Sequence, residues 1–129
     1  MRALLDTHVW LWYLLADERL SQEHRRCIED PETELWLSPI SVWETHLLIE
    51  RERISVTEAS ARWVAHALGA LPVKQASLTF AIAQRSRLIR IEHEDPADRL
   101  VAATAAEMKL TLLTTDKRLL RCPDITCFS

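Results

Sequence analysis

The chain has 129 residues, a mass of 14.9 kDa and a formal net charge of −3, with 48% hydrophobic residues and one glycine. This size predicts one compact domain over residues 1–129 with a full-sized core. A sequence pI near 5.9 excludes a basic protein that coats nucleic acid by bulk attraction, so any polyanion must be bound locally.

Short β-type runs alternate with longer helical runs from the start of the chain. The run "RALL" at 2–5 predicts a strand that ends at Asp6, and a helix is predicted from about Thr7. A polar helix over 21–29 follows, and "ELWL" at 34–37 predicts a second strand. The first third of the chain therefore has the order strand, helix, helix, strand.

A helix start stands directly after the second predicted strand. Ser38 suits the N-cap and Pro39 the first helical position, and the helix is predicted to run to about residue 53. This alternation predicts an α/β fold of three layers, with a mostly parallel central sheet and helices on both faces. Further helices are predicted over 57–68, 77–87 and 96–109, and further strands over 110–114 and 125–128.

Cysteine usage and hydropathy indicate where such a protein works. Cys27, Cys122 and Cys127 form no C-x-x-C pair and are odd in number, which is typical of reduced thiols in a cytosolic protein. The longest apolar run, at 9–16, is too short to cross a bilayer. We expect a cytoplasmic protein without a membrane anchor.

The segment "HEDPADR" places two aspartates at the start of a predicted helix. Asp95 followed by Pro96 is a common helix start, and an N-cap role explains Asp95 sufficiently. Asp98 falls at the third helical position, one turn before Val101 and Ala102 of an apolar stripe. Asp98 is therefore expected at the edge of the core, where its charge needs compensation.

Glu44 poses the same problem more sharply. Its helical neighbours Ile40, Leu47 and Leu48 are all apolar. Burying a carboxylate without a partner costs several kcal/mol, about as much as a few strong hydrogen bonds. Three solutions stay open for Glu44: protonation, an ion pair with an arginine, or a bound cation.

Four acids are expected at one end of the sheet. Asp6 and Asp116 follow predicted strands, and Glu44 and Asp98 lie early in helices, so all four suit the ligand crevice beyond the carboxyl ends of parallel strands. Two carboxylates about 4 Å apart repel by about 4 kcal/mol at an effective dielectric near 20, so such a cluster does not serve stability. All-oxygen ligation selects a hard ion, Mg²⁺ or Mn²⁺, and such ions usually serve phosphate chemistry.

The fragments "LLDTHVWLW", "SVWE", "HEDPADRLVAATA" and "LLTTD" together resemble the PIN-domain nucleases, specifically the VapC-type ribonuclease toxins of toxin-antitoxin modules. The resemblance spans essentially the whole chain and implies a PIN-like domain. It implies that Asp6, Glu44, Asp98 and, more loosely, Asp116 are the catalytic, metal-binding acids.

The resemblance also implies supporting residues around the metal. Asp95 matches the family motif in such a role, and Thr7, Thr114 and Thr115 lie where these proteins place hydroxyls that orient carboxylates or water. His93 matches a family position too, but a lone histidine is more often a surface side chain, so it is not assigned a role.

The activity implied by the resemblance is Mg²⁺- or Mn²⁺-dependent endonucleolytic cleavage of RNA. Metal-activated water is the nucleophile, and no covalent enzyme intermediate forms. Such proteins commonly form homodimers, and a cognate antitoxin silences them by placing its C-terminal segment in the acidic cleft. RNA, an antitoxin and a second copy are therefore the expected partners.

Other functions fit parts of the sequence. A PIN nuclease that processes RNA outside a toxin-antitoxin pair has the same acids, and a catalytically silent relative would be expected to lack some of them. A receiver-type signalling module needs paired acids after the first strand, whereas only Asp6 stands there. A D-x-D phosphatase is disfavoured because His8 occupies the second acidic position.

Arginines and tryptophans are candidates for contacts with RNA. A solvated helix face is the usual interpretation for such arginines, and a core or dimer-interface position is usual for tryptophan. Base stacking by one tryptophan at the rim of the cleft is the alternative. The residues concerned are Arg25, Arg26, Arg51, Arg53, Arg85, Arg87 and Arg90, with Trp10, Trp12, Trp36, Trp43 and Trp63.

Overall fold

The computed structural model describes residues 1–92 and 94–128. Within these residues the strands form one sheet of order β3-β2-β1-β4-β5, in which every neighbouring pair is parallel. The strands are β1 Arg2–Leu5, β2 Glu34–Leu37, β3 Lys74–Gln75, β4 Thr111–Leu113 and β5 Thr126–Phe128.

Seven helices lie between or beside these strands in the same part of the chain. They are α1 Thr7–Leu14, α2 Gln22–Glu29, α3 Pro39–Glu50, α4 Ser60–Ala70, α5 Phe80–Leu88, α6 Pro96–Met108 and α7 Lys117–Leu120. The predicted start of α3 is confirmed, since the Ser38 hydroxyl accepts the N–H of Ile40 at 3.0 Å and Pro39 is the first helical residue.

Alternation along β1 divides the core between the two faces of the sheet. Ala3 and Leu5 belong to one buried cluster, with residues of α1, α2 and α4, and Leu4 belongs to the other, with residues of α6 and α7. Both clusters are apolar and fully covered, as a parallel sheet requires. The predicted α/β architecture with helices on both faces of the sheet is confirmed.

Four predicted helix boundaries were wrong by two to three residues. Helix α3 ends at Glu50 rather than near 53, because Glu52 adopts φ 56° and turns the chain. Helix α4 begins at Ser60 and ends at Ala70, instead of covering 57–68. Helix α5 begins at Phe80 rather than 77, because the Thr79 hydroxyl accepts the N–H of Ile82 and makes Thr79 the N-cap.

Two short elements were not predicted. Strand β3 has only two residues, both exposed, so it carries no apolar pattern. Helix α7 has four residues, one turn, and is shorter than any window in which helical periodicity can be read.

The three cysteines are free, and burial raises the pKa of the Cys127 thiol to about 11, which keeps it protonated. No helix in the described ranges combines the length and apolar character needed to span a bilayer.

Candidate metal centre

The acidic site is built at the carboxyl edge of the central strand. Strand β1 lies between β2 and β4, and its last residue, Leu5, is paired with Leu113, the last residue of β4. The next residues, Asp6 and Thr114, are therefore neighbours beyond the edge, and the Asp6 N–H donates to the Leu113 carbonyl at 3.0 Å. This is the crevice position that the strand order predicts.

Asp6 is buried and both of its carboxylate oxygens accept hydrogen bonds. Oδ1 accepts the Thr7 N–H at 2.9 Å, and Oδ2 accepts the Thr114 hydroxyl at 2.7 Å. Burial is the largest influence and raises the pKa of Asp6, while the hydrogen bond from Thr114 and the charge of His8 oppose the rise. The side chain is thus held in one orientation.

Glu44 is tied to the same edge through Thr7. The Thr7 hydroxyl lies 2.6 Å from Oε1 of Glu44, to which it donates, and 2.8 Å from the Ser41 hydroxyl. Burial raises the pKa of Glu44, and the negative charges of Asp6 and Asp95 raise it further. None of the ion pairs between described residues involves Glu44, so the arginine partner considered from the sequence is not found there.

The start of α6 supplies two further carboxylates. Asp95 is the N-cap, as predicted, and its Oδ1 accepts the Ala97 N–H at 2.9 Å. Asp98 is half-buried at the third helical position, beside the buried residues Val101 and Ala102. Burial raises the pKa of Asp98 to about 7, with smaller contributions from the charges of Asp6, Asp95, Glu44 and Asp116.

Three carboxylates converge closely. Glu44, Asp95 and Asp98 each offer an oxygen, and these oxygens all lie within 4.8 Å of one another. Asp6 and Asp116 lie outside this set of three, yet both raise the pKa of Asp98, so their charges act on the same site. The structure therefore places two of the four predicted acids, Glu44 and Asp98, in one cluster with Asp95, and brings the charges of Asp6 and Asp116 within reach of it; the metal-binding role of these residues stays a prediction.

This donor set suits a hard divalent cation. It consists of carboxylate oxygens, and the raised pKa values of Asp6, Glu44 and Asp98 reflect burial together with mutual repulsion. A divalent ion held among them would remove this repulsion.

Asp116 and its two threonines define the rim of the site. Asp116 caps α7, where its Oδ1 accepts the Arg118 N–H at 2.8 Å and lies 3.5 Å from the Arg118 Nε. Its own N–H donates to the Thr114 hydroxyl at 3.1 Å, which links Asp116 to Asp6. Thr115 is exposed, and its hydroxyl makes no hydrogen bond to another described residue, so its supporting role stays a prediction. His93 lies outside the described residues.

Arg99 fixes the start of α6 and was not predicted to do so. Its guanidinium is buried and donates to the carbonyls of Ser86 at 2.8 Å, Ile89 at 2.9 Å and Ile91 at 3.4 Å. These carbonyls belong to the end of α5 and the segment after it. Arg99 thereby holds the first turn of α6, which carries Asp98, against the end of α5.

Two more contributors escaped the sequence analysis. Ser41 precedes Glu44 by three residues on α3, a spacing that places it on the same face and could have identified it. His8 is exposed one helical position after Thr7, and its charge lowers the pKa of both Asp6 and Glu44. Its position two residues after Asp6 could have indicated that it lies near this acid.

Comparison with known proteins identifies the family and a relative of this chain. The family model of the PIN domain matches residues 3–124. The chain is 35% identical over 117 residues to ribonuclease VapC22 of Mycobacterium tuberculosis, covering 90% of this chain and 88% of that protein.

Solved structures share the fold at low sequence identity. VapBC2 from Rickettsia felis, bound to a promoter DNA fragment, superposes with a TM-score of 0.72 at 16% identity, covering 99% of this chain and 98% of that one. DNA-bound VapBC from Salmonella typhimurium superposes with a TM-score of 0.72 at 19% identity, covering 99% of this chain and 97% of that one. VapBC-1 from nontypeable Haemophilus influenzae superposes with a TM-score of 0.70 at 19% identity, covering 100% of this chain and 98% of that one.

Proposed function

Because the chain belongs to the PIN domain family, we propose that it is a metal-dependent endoribonuclease and the toxin of a toxin-antitoxin pair. The observation that carries the proposal is the convergence of Glu44, Asp95 and Asp98 within 4.8 Å, beside the buried Asp6. The relative at 35% identity is named a ribonuclease, which supports RNA as the substrate. Family membership also argues against the receiver-type alternative.

The proposed ligands are carboxylates from four parts of the chain. Asp6, Glu44 and Asp98 hold Mg²⁺ or Mn²⁺, Asp116 contributes from the rim, and Asp95 supports the set. When bound, such an ion activates a water for attack on the phosphorus and neutralises charge on the phosphate oxygens.

The surrounding hydroxyls keep the carboxylates in place. Thr7 donates to Glu44, and Thr114 donates to Asp6 while accepting the N–H of Asp116. The bonds to Glu44 and Asp6 each fix one carboxylate oxygen and so fix the direction in which the remaining lone pairs point, and the bond from Asp116 fixes the Thr114 hydroxyl. This pre-orientation is what a cation site requires before it is filled.

A closed circular RNA tests the proposed activity, since only an endonuclease can open it. Purified protein with Mn²⁺ should convert the circle to linear fragments, whereas EDTA or the Asp98→Asn variant should leave it intact. Persistence of the circle with both Mn²⁺ and Mg²⁺ over a wide range of RNA sequences would contradict the proposal. Opening of the circle in EDTA at the same rate would contradict its metal dependence.

A proposed antitoxin partner separates a toxin from an RNA-processing nuclease. One structural relative is a toxin-antitoxin complex from Klebsiella pneumoniae, and another, VapBC-5 from Mycobacterium tuberculosis, is a member of the VapBC family of toxin-antitoxin systems, which supports such a partner for this chain. The measurement is co-expression with the product of an adjacent small reading frame. Growth arrest by the chain alone and recovery with that product are expected of a toxin; harmless overexpression of the active enzyme would favour RNA processing.

A homodimer is also proposed, through two exposed apolar side chains on α5. Phe80 is 93% exposed and Leu88 is 78% exposed, and they stand two successive four-residue steps apart on one side of the helix. Sedimentation at tens of micromolar should show a dimer, and Phe80→Glu with Leu88→Glu should give a monomer of the same fold. A monomeric wild-type protein would contradict this proposal.

A further inference from the structure

A groove beside the acidic cluster joins carboxylates at one end to guanidinium groups at the other. Its volume is about 430 Å³, within the range of ordinary ligand pockets. Glu44 and Asp95 line it on the side of the candidate metal centre, and Arg51 and Arg53 line it beyond the end of α3. We refer to it as the α3 groove.

Trp43 presents its indole in this groove. The side chain is 55% exposed and precedes Glu44 directly, whereas the other four tryptophans, all within the described residues, are buried or partly buried. Single exposed apolar residues are common on protein surfaces, so exposure alone is not informative. The informative feature is the position of an open aromatic face next to Glu44, in a groove that ends in arginines.

The arginine end of the groove carries two positive charges, those of Arg51 and Arg53. Arg51 and Arg53 are exposed, and neither takes part in the ion pairs between described residues, whereas Arg90 is paired with Asp124 at 2.5 Å. The turn at Glu52 brings the Arg53 N–H to the Leu48 carbonyl at 2.8 Å, which keeps Arg53 beside the end of α3.

The spacing of side chains along α3 suits a short segment of an extended polyanion. Trp43, Leu47 and Arg51 are four residues apart and lie along one side of the helix. Glu44 and Arg51 are separated by about 10 Å along the axis at the usual rise of 1.5 Å per residue. The acidic centre repels phosphates, so a polyanion needs compensating charge nearby, and the two arginines supply it.

We propose that the α3 groove binds a nucleotide of single-stranded RNA next to the phosphate that is cleaved. The base stacks on Trp43, and Arg51 and Arg53 contact neighbouring phosphates. The inference rests on the proposed ribonuclease function and adds where a base next to the cleaved phosphate is held, since a base can lie on the indole only when it is unpaired. Stacking accepts any base, so the groove selects unpaired RNA rather than a sequence.

Binding without cleavage tests this inference. All proteins carry Asp98→Asn and are measured in EDTA, so the RNA stays intact, and the probe is a fluorescein-labelled single-stranded RNA of about ten nucleotides followed by anisotropy. The variants are Trp43→Ala, Trp43→Phe and the pair Arg51→Ala with Arg53→Ala. The matched controls are Leu68→Ala and the pair Arg62→Ala with Arg121→Ala, which remove an exposed apolar side chain and two exposed arginines elsewhere.

Trp43→Ala should weaken RNA binding about 5- to 20-fold, and Trp43→Phe should bind within about threefold of the parent, because a phenyl ring still stacks. Loss of both Arg51 and Arg53 should weaken binding at least about tenfold and lower the slope of log K against log salt by about 1.4. Both controls should stay within about twofold. A duplex of the same sequence should bind more weakly than the single strand and should not respond to Trp43→Ala.

Equal affinities for Trp43→Ala and the parent, or equal losses in the controls, would overturn the inference. If Trp43→Ala leaves RNA binding unchanged but weakens binding of the co-expressed antitoxin, the groove serves a protein and the RNA assignment is wrong. Cleavage of circular RNA by protein with Asp98 intact is measured in parallel. Cleavage with no effect of Trp43→Ala refutes only the groove, whereas absence of cleavage refutes the proposed function.

Discussion

Thr114 donates its hydroxyl hydrogen to Oδ2 of Asp6 at 2.7 Å, although 108 residues separate them along the chain. The same oxygen of Thr114 accepts the Asp116 N–H at 3.1 Å. One buried hydroxyl thus joins the acid after β1 to the acid that caps α7. The parallel pairing of β1 with β4 brings these residues together, so the geometry of the site follows from the register of the sheet.

Replacing Thr114 with valine should impair both the site and the fold. The substitution keeps the shape but leaves Asp6 Oδ2 and the Asp116 N–H without their partner, which costs about 1–3 kcal/mol of unfolding free energy. Metal-dependent cleavage should fall at least about tenfold because Asp6 is no longer oriented. Denaturant unfolding and cleavage assays measure the two effects.

The conservative variant Thr114→Ser is the control for this prediction. It retains the hydroxyl, so most of the activity should return even though a buried methyl group is lost. Equal activity of the valine and serine variants would show that the hydrogen bond to Asp6 is not what matters.

Removing charge from the acidic cluster should abolish catalysis and spare the fold. Asp6→Asn and Asp98→Asn should each reduce Mn²⁺-dependent RNA cleavage by at least about 100-fold, the scale seen when a group that stabilises the transition state is lost. Circular dichroism should show an unchanged fold. Glu107→Gln is a matched control, since Glu107 is an exposed acid on the same helix as Asp98 and pairs with Arg85.

Full activity of both aspartate variants would remove these residues from the mechanism. A comparable loss in Glu107→Gln would show that acid substitutions on α6 act through the fold rather than through the site.

The raised pKa of Asp98 predicts how the stability of the metal-free protein depends on pH. The folded-state pKa is about 7, above the usual 3.8, so the native state binds more protons than the unfolded state between these values. Stability contributed by this group is therefore lost as pH rises from about 4 to about 7. Asp98→Asn should raise the unfolding free energy in EDTA at pH 8 by on the order of 1–2 kcal/mol, after discounting for partial exposure.

Thermal melts in EDTA at pH 5 and pH 8 measure this effect. The variant should melt at least about 3 °C higher than wild type at pH 8 and close to wild type at pH 5. Adding Mn²⁺ at pH 8 should stabilise the wild type and have little effect on the variant, because ion binding favours the folded state. A stabilisation of the variant that is the same at both pH values would contradict the assigned pKa.

Arg99 should be essential for the stability of the α5–α6 contact. Arg99→Met keeps much of the length but leaves the carbonyls of Ser86 and Ile89 without their donor, which should lower the unfolding free energy by about 2–4 kcal/mol. The exposed Arg87 on α5 serves as the control, and Arg87→Met should change stability by less than about 0.5 kcal/mol. Equal effects of the two substitutions would contradict the anchoring role.

The positions of the acids could be predicted because they follow local rules. Asp6 ends an apolar strand and Glu44 interrupts an apolar helical face, and both features are visible within a few residues. The contacts that orient these acids could not be predicted, because they join residues far apart in the chain. The link between Thr7 and Glu44, 37 residues apart, depends on how α1 and α3 pack.

The place of Asp95 in the carboxylate cluster could not be predicted for a different reason. Its sequence context explains it fully as a helix cap, and it is one, yet its carboxylate also lies among those of Glu44 and Asp98. A carboxylate has two oxygens, so Asp95 can cap the helix and also take part in the cluster. The local sequence pattern indicates only the cap. The two-residue strand β3 was missed for a related reason, since its exposed Lys74 and Gln75 carry no signal of burial.

Anomalous diffraction from crystals soaked in Mn²⁺ tests the central claim most directly, because it locates the ion without reference to activity. A manganese peak bounded by the carboxylates of Asp6, Glu44 and Asp98, and absent in Asp98→Asn crystals soaked in the same way, is the predicted result. Carboxylates that point to separate places, or a well-soaked crystal with no manganese among them, would contradict the claim that this edge of the sheet is a metal centre.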